Sequence, residues 1–551
     1  MVSLATHQPS SRKFVTVRGY NTGTFNSRRS PVMARDAMIA TAQPLATAAG
    51  LRILLEGGNA VDAAVAAAAV LGVTEPYQTG LGGDCFALIY SAKTKTVRAL
   101  NGSGPAPKAA SVAEYASRGL VTMPEKGPLS WTVPGCVDGW CEMVAAHGSM
   151  PLSRLLAPAI GYAAGGFPVS PADARAWGDC VDMLSADEGA SRCLLIDGRA
   201  PRAGEVFVQP ALARSLRLVA EGGREAYYEG DIARELAVLS DRLGGLLTRE
   251  DLAAYHAEWQ QPIGIDYRGM TILECPPNGG GIAALLALRA VEGIDFTVLD
   301  RSGPECLHVL IEATKHAMTV AGAYVADPAF ARVPVAELLA APCVRLALPS
   351  AMAPPIAWES PAYPPGASDT VFLAVVDAQG NAVAFINSVY GSFGSCSTAE
   401  TLGFPIQNRG YGFTLEQGHP NQLEGGKRPY HTIIPAMAMQ NGAPSLLFGM
   451  TGGFLQPQGH LQLVVNLLDY GMDPQSAIDM PRFWWQGHRD VIIENGFPEA
   501  AYATLMTWGH QVMRRPEHRG FGGAQVIRID REGRVLIAGS EPRQDGCAIG
   551  Y

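Results

Sequence analysis

The chain has 551 residues, 48% of them hydrophobic and 17% charged, and this length and composition support a large core in one or more domains. Its formal net charge of -9 at pH 7 gives no electrostatic reason to expect nucleic acid or an anionic membrane as a partner. No apolar run approaches about eighteen residues without a glycine or a charged residue, so we expect no membrane span.

The N-terminal segment predicts a loose arm rather than a targeting signal. It carries five basic residues among polar ones and lacks an apolar core of about seven residues. We expect a flexible arm over residues 1–32 and no secretory signal. The ten cysteines are scattered along the chain with no CxxC pair, which favours a thiol-keeping compartment, and we expect a cytoplasmic protein.

From about residue 33 the pattern predicts regular helices and strands. The alanine-rich stretch GGNAVDAAVAAAAVLGV (57 to 73) predicts a helix that Asn59 caps and Gly72 ends, with side chains too small for a surface helix. The next stretch, TGLGGDCFALIYSA, predicts a glycine turn leading into a strand, and TVRALNGSG predicts its hairpin partner. The turn GLGGD (80 to 84) is not a dinucleotide fingerprint, because a helix precedes it and a strand follows it. The chain also contains no G-x-S-x-G elbow and no P-loop.

The middle of the chain, from about residue 108 to 300, predicts mainly helices, and residues 304–323 predict one more. On that helix His308, Glu312 and His316 lie four residues apart on one face, a spacing that suits a metal ion. The helix is otherwise apolar and no fourth ligand is evident, so we favour packing or hydrogen bonding for these residues and predict no metal. A proline-rich stretch over residues 342–365 then predicts a linker.

Two apolar strands follow the linker, at residues 370–377 and 382–388, and their short connection, AQGN, makes them antiparallel. Both strands are apolar on both faces, so we expect helices or a second sheet on each side of them. A helix over residues 456–470 and the strands AQVIRID and VLIAGSE complete the C-terminal third.

Two features of this region suggest chemistry. Thr370 stands where the linker meets the first apolar strand, and its hydroxyl either closes a turn or acts as a nucleophile at the end of a rigid strand. Gly452 and Gly453 precede the predicted helix, where paired glycines either form an ordinary turn or present backbone N–H groups to an oxyanion. The residues alone leave both alternatives open.

Six stretches of the sequence resemble, in order, the gamma-glutamyltransferase family of N-terminal-nucleophile hydrolases. They are GGNAVDAAVAAAAVLGVTEPYQTGLGGDCFALIY, GGLLTREDLAAYHAEW, PPNGGG, DTVFLAVVDAQGNAVAFINS, GGKRPYHTIIPAM and SEPRQDGCAIGY. The resemblance covers essentially everything from about Met33 to Tyr551. It implies an α/β fold of the α+β kind, namely a four-layer αββα sandwich with mainly antiparallel central sheets.

Members of that family are proenzymes that cut themselves before a threonine, and the matching position here is Thr370. The resemblance implies cleavage of the Asp369–Thr370 bond into a large fragment, residues 33–369, and a small fragment, residues 370–551, which together form one αββα unit. The new α-amine titrates near ~7.7–8.0 and can take a proton from the hydroxyl of the same residue near neutral pH. Thr370 would then serve as nucleophile and base together.

Other residues match the family's catalytic positions. Ser388 occupies the place of a hydroxyl neighbour that orients the nucleophile, although a serine at the end of a strand also has ordinary structural uses. Gly452 and Gly453 match the family's oxyanion glycines, and losing such stabilisation typically costs on the order of 10²–10³ in rate.

Several positions depart from the pattern of the glutathione-processing members. The place of the arginine that binds the glutamyl carboxylate falls at about Ser103, and that of the aspartate that binds the amine falls at Gly412. An asparagine is replaced by Tyr390, and a serine pair by His431 and Thr432. A zwitterionic glutamyl group would lose both charge partners, and burying it unpaired is costly.

Arg409 enters the same neighbourhood in place of an amide residue. Its guanidinium either grips a carboxylate in a bidentate fork or forms a structural contact. With Tyr390, His431, Thr432 and Ser103 also lining the site, we favour a small acid amide or an N-acyl substrate. The chain thus resembles the oxamate amidohydrolases and acylases of the family more than its glutathione-processing members.

We therefore predict a self-cleaving amidohydrolase with Thr370 as nucleophile, which acts through an acyl-enzyme on a small carboxylate-bearing amide or N-acyl substrate. The alternatives are a gamma-glutamyltransferase or glutathione hydrolase with a rebuilt pocket, and an uncleaved protein that uses the fold for binding. We expect the two fragments to remain together as an αβ heterodimer, with further dimerisation left open. We expect no cofactor, metal, nucleic acid or membrane as a partner.

Overall fold

The computed structural model describes residues 29–340, 368–515 and 520–551. Most of the expected N-terminal arm (1–32) and all of the proline-rich stretch (342–365) therefore lie outside the described residues. Among the helices that are described, none combines the length and the apolar character that crossing a membrane requires.

The described helices are numbered in chain order. They are α1 (Pro44–Leu55), α2 (Ala60–Thr74), α3 (Val112–Ser117), α4 (Cys136–His147), α5 (Leu152–Gly165), α6 (Pro171–Gly178), α7 (Val181–Ser185), α8 (Glu188–Leu194), α9 (Pro210–Tyr228), α10 (Asp231–Arg242), α11 (Arg249–Ala253), α12 (Gly281–Val291), α13 (Pro304–Tyr324), α14 (Val335–Ala340), α15 (Leu455–Val464), α16 (Pro474–Asp479) and α17 (Glu499–Thr507). A short 3-10 turn also spans Arg409–Gly412, and a π-helical turn, Val465–Asp469, extends α15.

The described strands are numbered in the same way. They are β1 (Val32–Ala34), β2 (Met38–Thr41), β3 (Asp84–Ser91), β4 (Thr96–Gly102), β5 (Phe167–Pro168), β6 (Val206–Phe207), β7 (Glu258–Gln260), β8 (Ile263–Tyr267), β9 (Met270–Glu274), β10 (Ser368–Val376), β11 (Ala382–Gly391), β12 (Ala436–Gln440), β13 (Ala443–Met450), β14 (Phe483–Gly487), β15 (Asp490–Glu494), β16 (Gln511–Arg515), β17 (Ala524–Asp530), β18 (Val535–Ser540) and β19 (Cys547–Gly550).

Two seven-stranded sheets dominate the molecule. The first has the strand order β1-β18-β17-β13-β12-β9-β8, and the second has the order β19-β2-β10-β11-β3-β4-β7. The strand pairings within both sheets are antiparallel, for example β10 with β11 and β12 with β13. A three-stranded sheet (β14-β15-β16) and a short pair (β5-β6) are smaller additions.

The two large sheets pack face to face, and helices cover both outer faces. Apolar side chains of both sheets meet in the middle layer, among them Phe372, Ala374, Met437 and Leu447. Residues of α1, α2, α5 and α9 pack on the outer face of the second sheet, and residues of α12, α13 and α15 pack on that of the first. The layers are therefore helix, sheet, sheet and helix, which confirms the αββα sandwich implied by the family resemblance.

Strand β10 lies near the centre of the second sheet, between β2 and β11, and is buried on both faces as predicted. Val371 and Val375 belong to the cluster on the helical side, whereas Phe372 and Ala374 belong to the cluster between the sheets. Burying an aliphatic or aromatic side chain of this size stabilises the fold by roughly 1.5–3 kcal/mol. The start of β10 is therefore held firmly in place.

Helix α2 confirms one predicted boundary and corrects another. The Asn59 side chain accepts the N–H groups of Val61 and Asp62, and Asp62 completes a capping box, as the sequence indicated for this end. The prediction that Gly72 ends the helix was wrong, because α2 continues to Thr74. A Cβ at Gly72 would lie 3.1 Å from the Cα of Gly80, so the glycine allows the helix and the following turn to pack closely.

Two further segments end earlier than their sequence pattern predicted. The stretch REDLAAYHAEW is helical only over Arg249–Ala253, and its last residues begin β7, which pairs with β4 at the edge of the second sheet. The helix expected over residues 456–470 ends at Val464 and passes into the π-helical turn. In both cases local apolar spacing favours a helix, whereas the tertiary contacts decide where it stops.

Candidate active site

Thr370 lies in β10 at an irregularity in the pairing with β11. Asp369 pairs with Tyr390, but Val371 pairs with Asn387, so two residues of β11 face the single residue Thr370. A β-bulge of this kind re-aims side chains at a strand end. The Thr370 side chain is fully buried, and the bulge fixes the direction in which its hydroxyl points.

The Ser388 hydroxyl is the point where the polar groups around Thr370 meet. Its oxygen accepts a hydrogen bond from Thr370 Oγ1 at 3.1 Å. It also accepts from the backbone N–H of Tyr390 at 2.9 Å and from Arg409 Nη2 at 3.1 Å. A positive charge and a backbone dipole thus face this oxygen, and both favour negative charge on the hydroxyl pair.

Arg409 opens the 3-10 turn and is fully buried. Its Nη1 donates to Thr432 Oγ1 at 2.9 Å, and its Cζ lies 4.1 Å from the centre of the Tyr390 ring. Burial lowers the pKa of Arg409 to about 10, while the charge of Asp84 acts in the opposite direction. The guanidinium is therefore charged at neutral pH, although the residue is fully buried.

A buried carboxylate that sequence analysis missed lies beside this network. Asp84 opens β3, and its Oδ1 accepts from two backbone N–H groups and from Gln407 Nε2 at 2.8 Å. Its Oδ2 contacts His431 Nε2 at 3.1 Å. Burial raises the pKa of Asp84 to about 7, while the charge of Arg409 and these hydrogen bonds lower it.

His431 is a neutral imidazole held between two partners. Burial, and to a smaller extent the charge of Arg409, lower the pKa of His431 well below its usual value. The backbone N–H of Ile433 donates to Nδ1, so the ring proton lies on Nε2, which donates to Asp84. No local spacing could have revealed this pair, because Asp84 and His431 are 347 positions apart.

Ser103 lies apart from the contacts that join Thr370 to Arg409. Its Oγ donates to Asn101 Oδ1 at 2.6 Å and accepts from Asn278 Nδ2 at 3.2 Å. The residue is fully buried. Ser103 was expected to bind substrate, but its hydroxyl is hydrogen-bonded to two asparagines that lie outside the contacts joining Thr370 to Arg409.

Gly452 and Gly453 form the turn between β13 and α15, and their φ angles are +113° and +59°. In the part of the chain that the structure describes, neither N–H donates a hydrogen bond. Earlier in the same segment, a Cβ at Gly449 would lie 2.4 Å from the Phe372 ring, so the end of β13 packs directly on β10. Because Phe372 follows closely after Thr370, the end of β13 that leads into the glycine turn packs beside the start of β10.

The cluster of polar side chains at α13 contains His510 as its third member, and not His316, which the spacing along the helix suggested. His308 Nδ1 lies 2.8 Å from His510 Nε2, and with Glu312 their ligand atoms lie within 4.8 Å of one another, whereas His316 is not part of this group. Lys315 Nζ donates to Glu312 at 2.7 Å and lies 3.4 Å from His510 Nδ1. The described contacts of this group are thus hydrogen bonds among four side chains, and the expectation of no metal stays a prediction.

Comparison with known proteins places these features in context. The chain matches the family model described as Gamma-glutamyltranspeptidase over residues 46–551. It is 39% identical over 534 residues to the glutathione hydrolase-like YwrD proenzyme of Bacillus subtilis (strain 168), covering 94% of this chain and 99% of that protein. It is 35% identical over 519 residues to the oxamate amidohydrolase proenzyme of Klebsiella pneumoniae subsp. pneumoniae, covering 92% and 97%. The crystal structure of cephalosporin acylase from Bacillus halodurans superposes with a TM-score of 0.90 at 38% identity and covers 99% of both chains.

Proposed function

The chain belongs to the gamma-glutamyltranspeptidase family, and from this premise we propose that it is a self-cleaving amidohydrolase whose nucleophile is Thr370. Its relatives are named as hydrolase proenzymes, and a similar solved structure is that of an acylase, so the protein is a hydrolase of the proenzyme type. The observation that carries the specific proposal is the contact between Thr370 Oγ1 and Ser388 Oγ, to which Arg409 also donates.

Self-cleavage begins in the uncut chain. The hydroxyl oxygen of Thr370 attacks the carbonyl carbon of Asp369, the C–N bond breaks, and the nitrogen of Thr370 becomes a free amine as an ester forms. Water then hydrolyses this ester and restores the hydroxyl. Ser388, held by Arg409, orients the attacking hydroxyl. The products are a large fragment that ends at Asp369 and a small fragment of 182 residues, 370–551.

Substrate hydrolysis uses the new terminus. The α-amine of Thr370 takes the proton of its own hydroxyl, and the oxygen attacks the amide carbon of the substrate. The N–H groups of Gly452 and Gly453 receive the negative charge that forms on the carbonyl oxygen. The amine product leaves with the proton, and water hydrolyses the remaining ester to release the acid.

Arg409 supports a substrate that carries a carboxylate. In the uncut chain Ser368 pairs with Gly391 and Asp369 pairs with Tyr390, and the cut would free this edge of β11 for a substrate. Arg409 lies against Tyr390 at that edge, and within the described residues its Nε has no hydrogen-bond partner. A carboxylate is the acceptor that a guanidinium binds best. We therefore propose a small carboxylate-bearing amide, such as oxamate, or an N-acyl compound as the substrate.

The second candidate is a glutathione hydrolase or gamma-glutamyltransferase with a rebuilt pocket. The similarity to a relative named glutathione hydrolase-like favours it. Against it, Gly412 stands at the expected place of the aspartate, and Ser103, at that of the arginine, is hydrogen-bonded to two asparagines. An uncleaved binding protein ranks third, because the relatives described above are named as proenzymes.

A substrate panel tests this ranking. Purified protein would be incubated with oxamate, with simple acyl amides and with gamma-glutamyl-p-nitroanilide, and release of ammonia or nitroaniline would be followed. We expect turnover of the carboxylate-bearing amides and little turnover of the gamma-glutamyl compound. Rapid turnover of the gamma-glutamyl compound, with none of oxamate or the acyl amides, would reverse the order of the two candidates.

A further inference from the structure

The turn GLGGD, which is not a nucleotide loop, ends on the buried carboxylate of Asp84. Asp84 lies directly across the ladder from Ser388, because β3 is the neighbour of β11. A Cβ at Gly82 would lie 2.2 Å from the carbonyl oxygen of Pro405, and one at Gly83 would lie 2.3 Å from that of Ser388. Gly83 therefore lets the turn pack against the strand that carries Ser388, and Gly82 lets it pack against the segment at Pro405, so the backbone that precedes the carboxylate is held on two sides.

Arg409 needs a counter-charge that its direct contacts do not provide. In the part of the chain that the structure describes, its guanidinium contacts two hydroxyl groups and an aromatic ring but no carboxylate. A guanidinium does not lose its proton at neutral pH, and burying an unpaired one is costly. Asp84 pairs across the ladder with Ser388, to which Arg409 donates, so the two opposite charges lie on either side of the same residue. Burial lowers the pKa of Arg409, and the negative charge of Asp84 acts in the opposite direction.

Asp84 also fixes the segment that holds the other side of Arg409. Its Oδ2 accepts from His431 Nε2, and the next residue, Thr432, accepts from Arg409 Nη1. The backbone of His431 is bonded on both sides, to the carbonyl of Asn278 and from the N–H of Gly280. Asp84 therefore affects the site in two ways. Its charge acts on Arg409, and its hydrogen bond with His431 holds the segment that carries Thr432.

Resting on the function proposed above, we propose that Asp84 is a positioning residue that limits the affinity of the site for anionic substrates. In the substrate-free enzyme its charge balances Arg409 and keeps the guanidinium on Ser388 and Thr432. When a substrate carboxylate arrives, Asp84 competes with it for the same positive charge. Asp84 therefore weakens anion binding while it holds the groups that orient the nucleophile.

The test is Asp84→Asn, which keeps the shape of the side chain and removes its charge; it is assayed well above pH 7, because burial raises the pKa of Asp84 to about 7 and only the ionised form carries that charge. The probes are oxamate and its neutral isostere oxamide, with ammonia release measured, and the anion oxalate, with binding measured by calorimetry. We expect the KM for oxamate and the Kd for oxalate to fall by about threefold or more, because Arg409 loses its competing anion. The KM for oxamide should not change, and kcat should fall for both amides, because an asparagine offers a single acceptor oxygen to the four groups that donate to the two carboxylate oxygens of Asp84.

Two other variants distinguish the effect of the Asp84 charge from its effect on the position of His431. His431→Gln keeps the Asp84 carboxylate and can still donate to it, so the ratio of the two KM values should stay at the wild-type value even if kcat falls. Asp173→Asn, a substitution at another fully buried aspartate, is the control for burial and should leave the ratio unchanged.

The inference is overturned if Asp84→Asn changes the KM for oxamate and the KM for oxamide equally, or if His431→Gln, which keeps the Asp84 charge, changes the ratio of these two KM values. The KM ratio of His431→Gln tests the inference even if Asp84→Asn fails to fold. Failure of the proposed function looks different, because the wild-type protein would then remain uncut or hydrolyse neither amide.

Discussion

Arg409 carries a charge into the buried interior, and several neighbouring side chains stabilise it. Ser388 and Thr432 accept its hydrogen bonds, and the Tyr390 ring lies against its face. The sequence placed Arg409 near the site because it stands where the family has an amide residue. Its contact with Ser388 arises from the 3-10 turn at residues 409–412, which no local pattern predicted.

Arg409→Met tests the role of this charge. The substitution keeps a side chain of similar length but removes every donor, and hydrogen bonds to charged groups are worth about 1.5–3 kcal/mol. We expect the KM for oxamate to rise about tenfold or more, measured by ammonia release at varied substrate concentration. Arg98→Met is the matched control, since Arg98 also lies over an aromatic ring, that of Trp259, but outside the site. An Arg409→Met enzyme with a wild-type KM would remove this residue from the binding site.

Asp84 shows why part of the site escaped prediction at the level of residues. Its hydrogen-bond partners lie between 20 and 347 positions away along the chain, so no motif or spacing connects them. Thr370, Ser388 and Arg409 were found because the resemblance assigned their positions in advance. The fold-dependent pairing of β3 with β11 is what brings Asp84 next to Ser388.

At the scale of elements, the proposed site is built at the start of β10, and the end of β13, which leads into the turn before α15, packs on this strand. The apolar pattern predicted β10 and β11 nearly as they are, since both faces of each strand are buried. The sequence could not predict the bulge at Thr370, because a bulge depends on how two strands register against each other. The lengths of α2, α11 and α15 were likewise set by tertiary packing rather than by helical spacing.

Gly452→Ala tests the turn before α15. At a φ of +113° a side chain is strained by roughly 1–3 kcal/mol, so the turn should shift and misplace its N–H groups. We expect kcat to fall by about 10²–10³, as when an oxyanion donor is lost, with the KM for oxamate little changed. Gly442→Ala is the matched control, because Gly442 has a φ of +77° in the turn between β12 and β13 with no atom near its Cβ. Equal loss of kcat in both variants would mean that the effect is general strain.

At the scale of the whole molecule, each of the two proposed fragments contributes strands to both large sheets. In the second sheet β10 and β11 of the small fragment lie between β2 and β3 of the large one, and β19 of the small fragment pairs with β2. In the first sheet β12 of the small fragment pairs with β9 of the large one. Separating the fragments would therefore expose the interior of both sheets.

We accordingly expect the fragments to stay together after the cut. On size-exclusion chromatography without denaturant, wild-type protein should elute as one peak at the position of uncut Thr370→Ala, and denaturing gels of that peak should show both fragments. In strong denaturant the two should separate. Separate elution of folded fragments without denaturant would contradict the interleaved sheets.

The central claim is that Thr370 is a nucleophile that frees its own amine. The most direct measurement is the intact mass of purified wild-type protein together with the N-terminal sequence of its smaller fragment. We predict two fragments, the smaller one of 182 residues beginning at Thr370, and a Thr370→Ala protein that remains a single chain without amidase activity. A wild-type chain that stays whole at any age of the preparation, or is cut at another bond, would contradict the account.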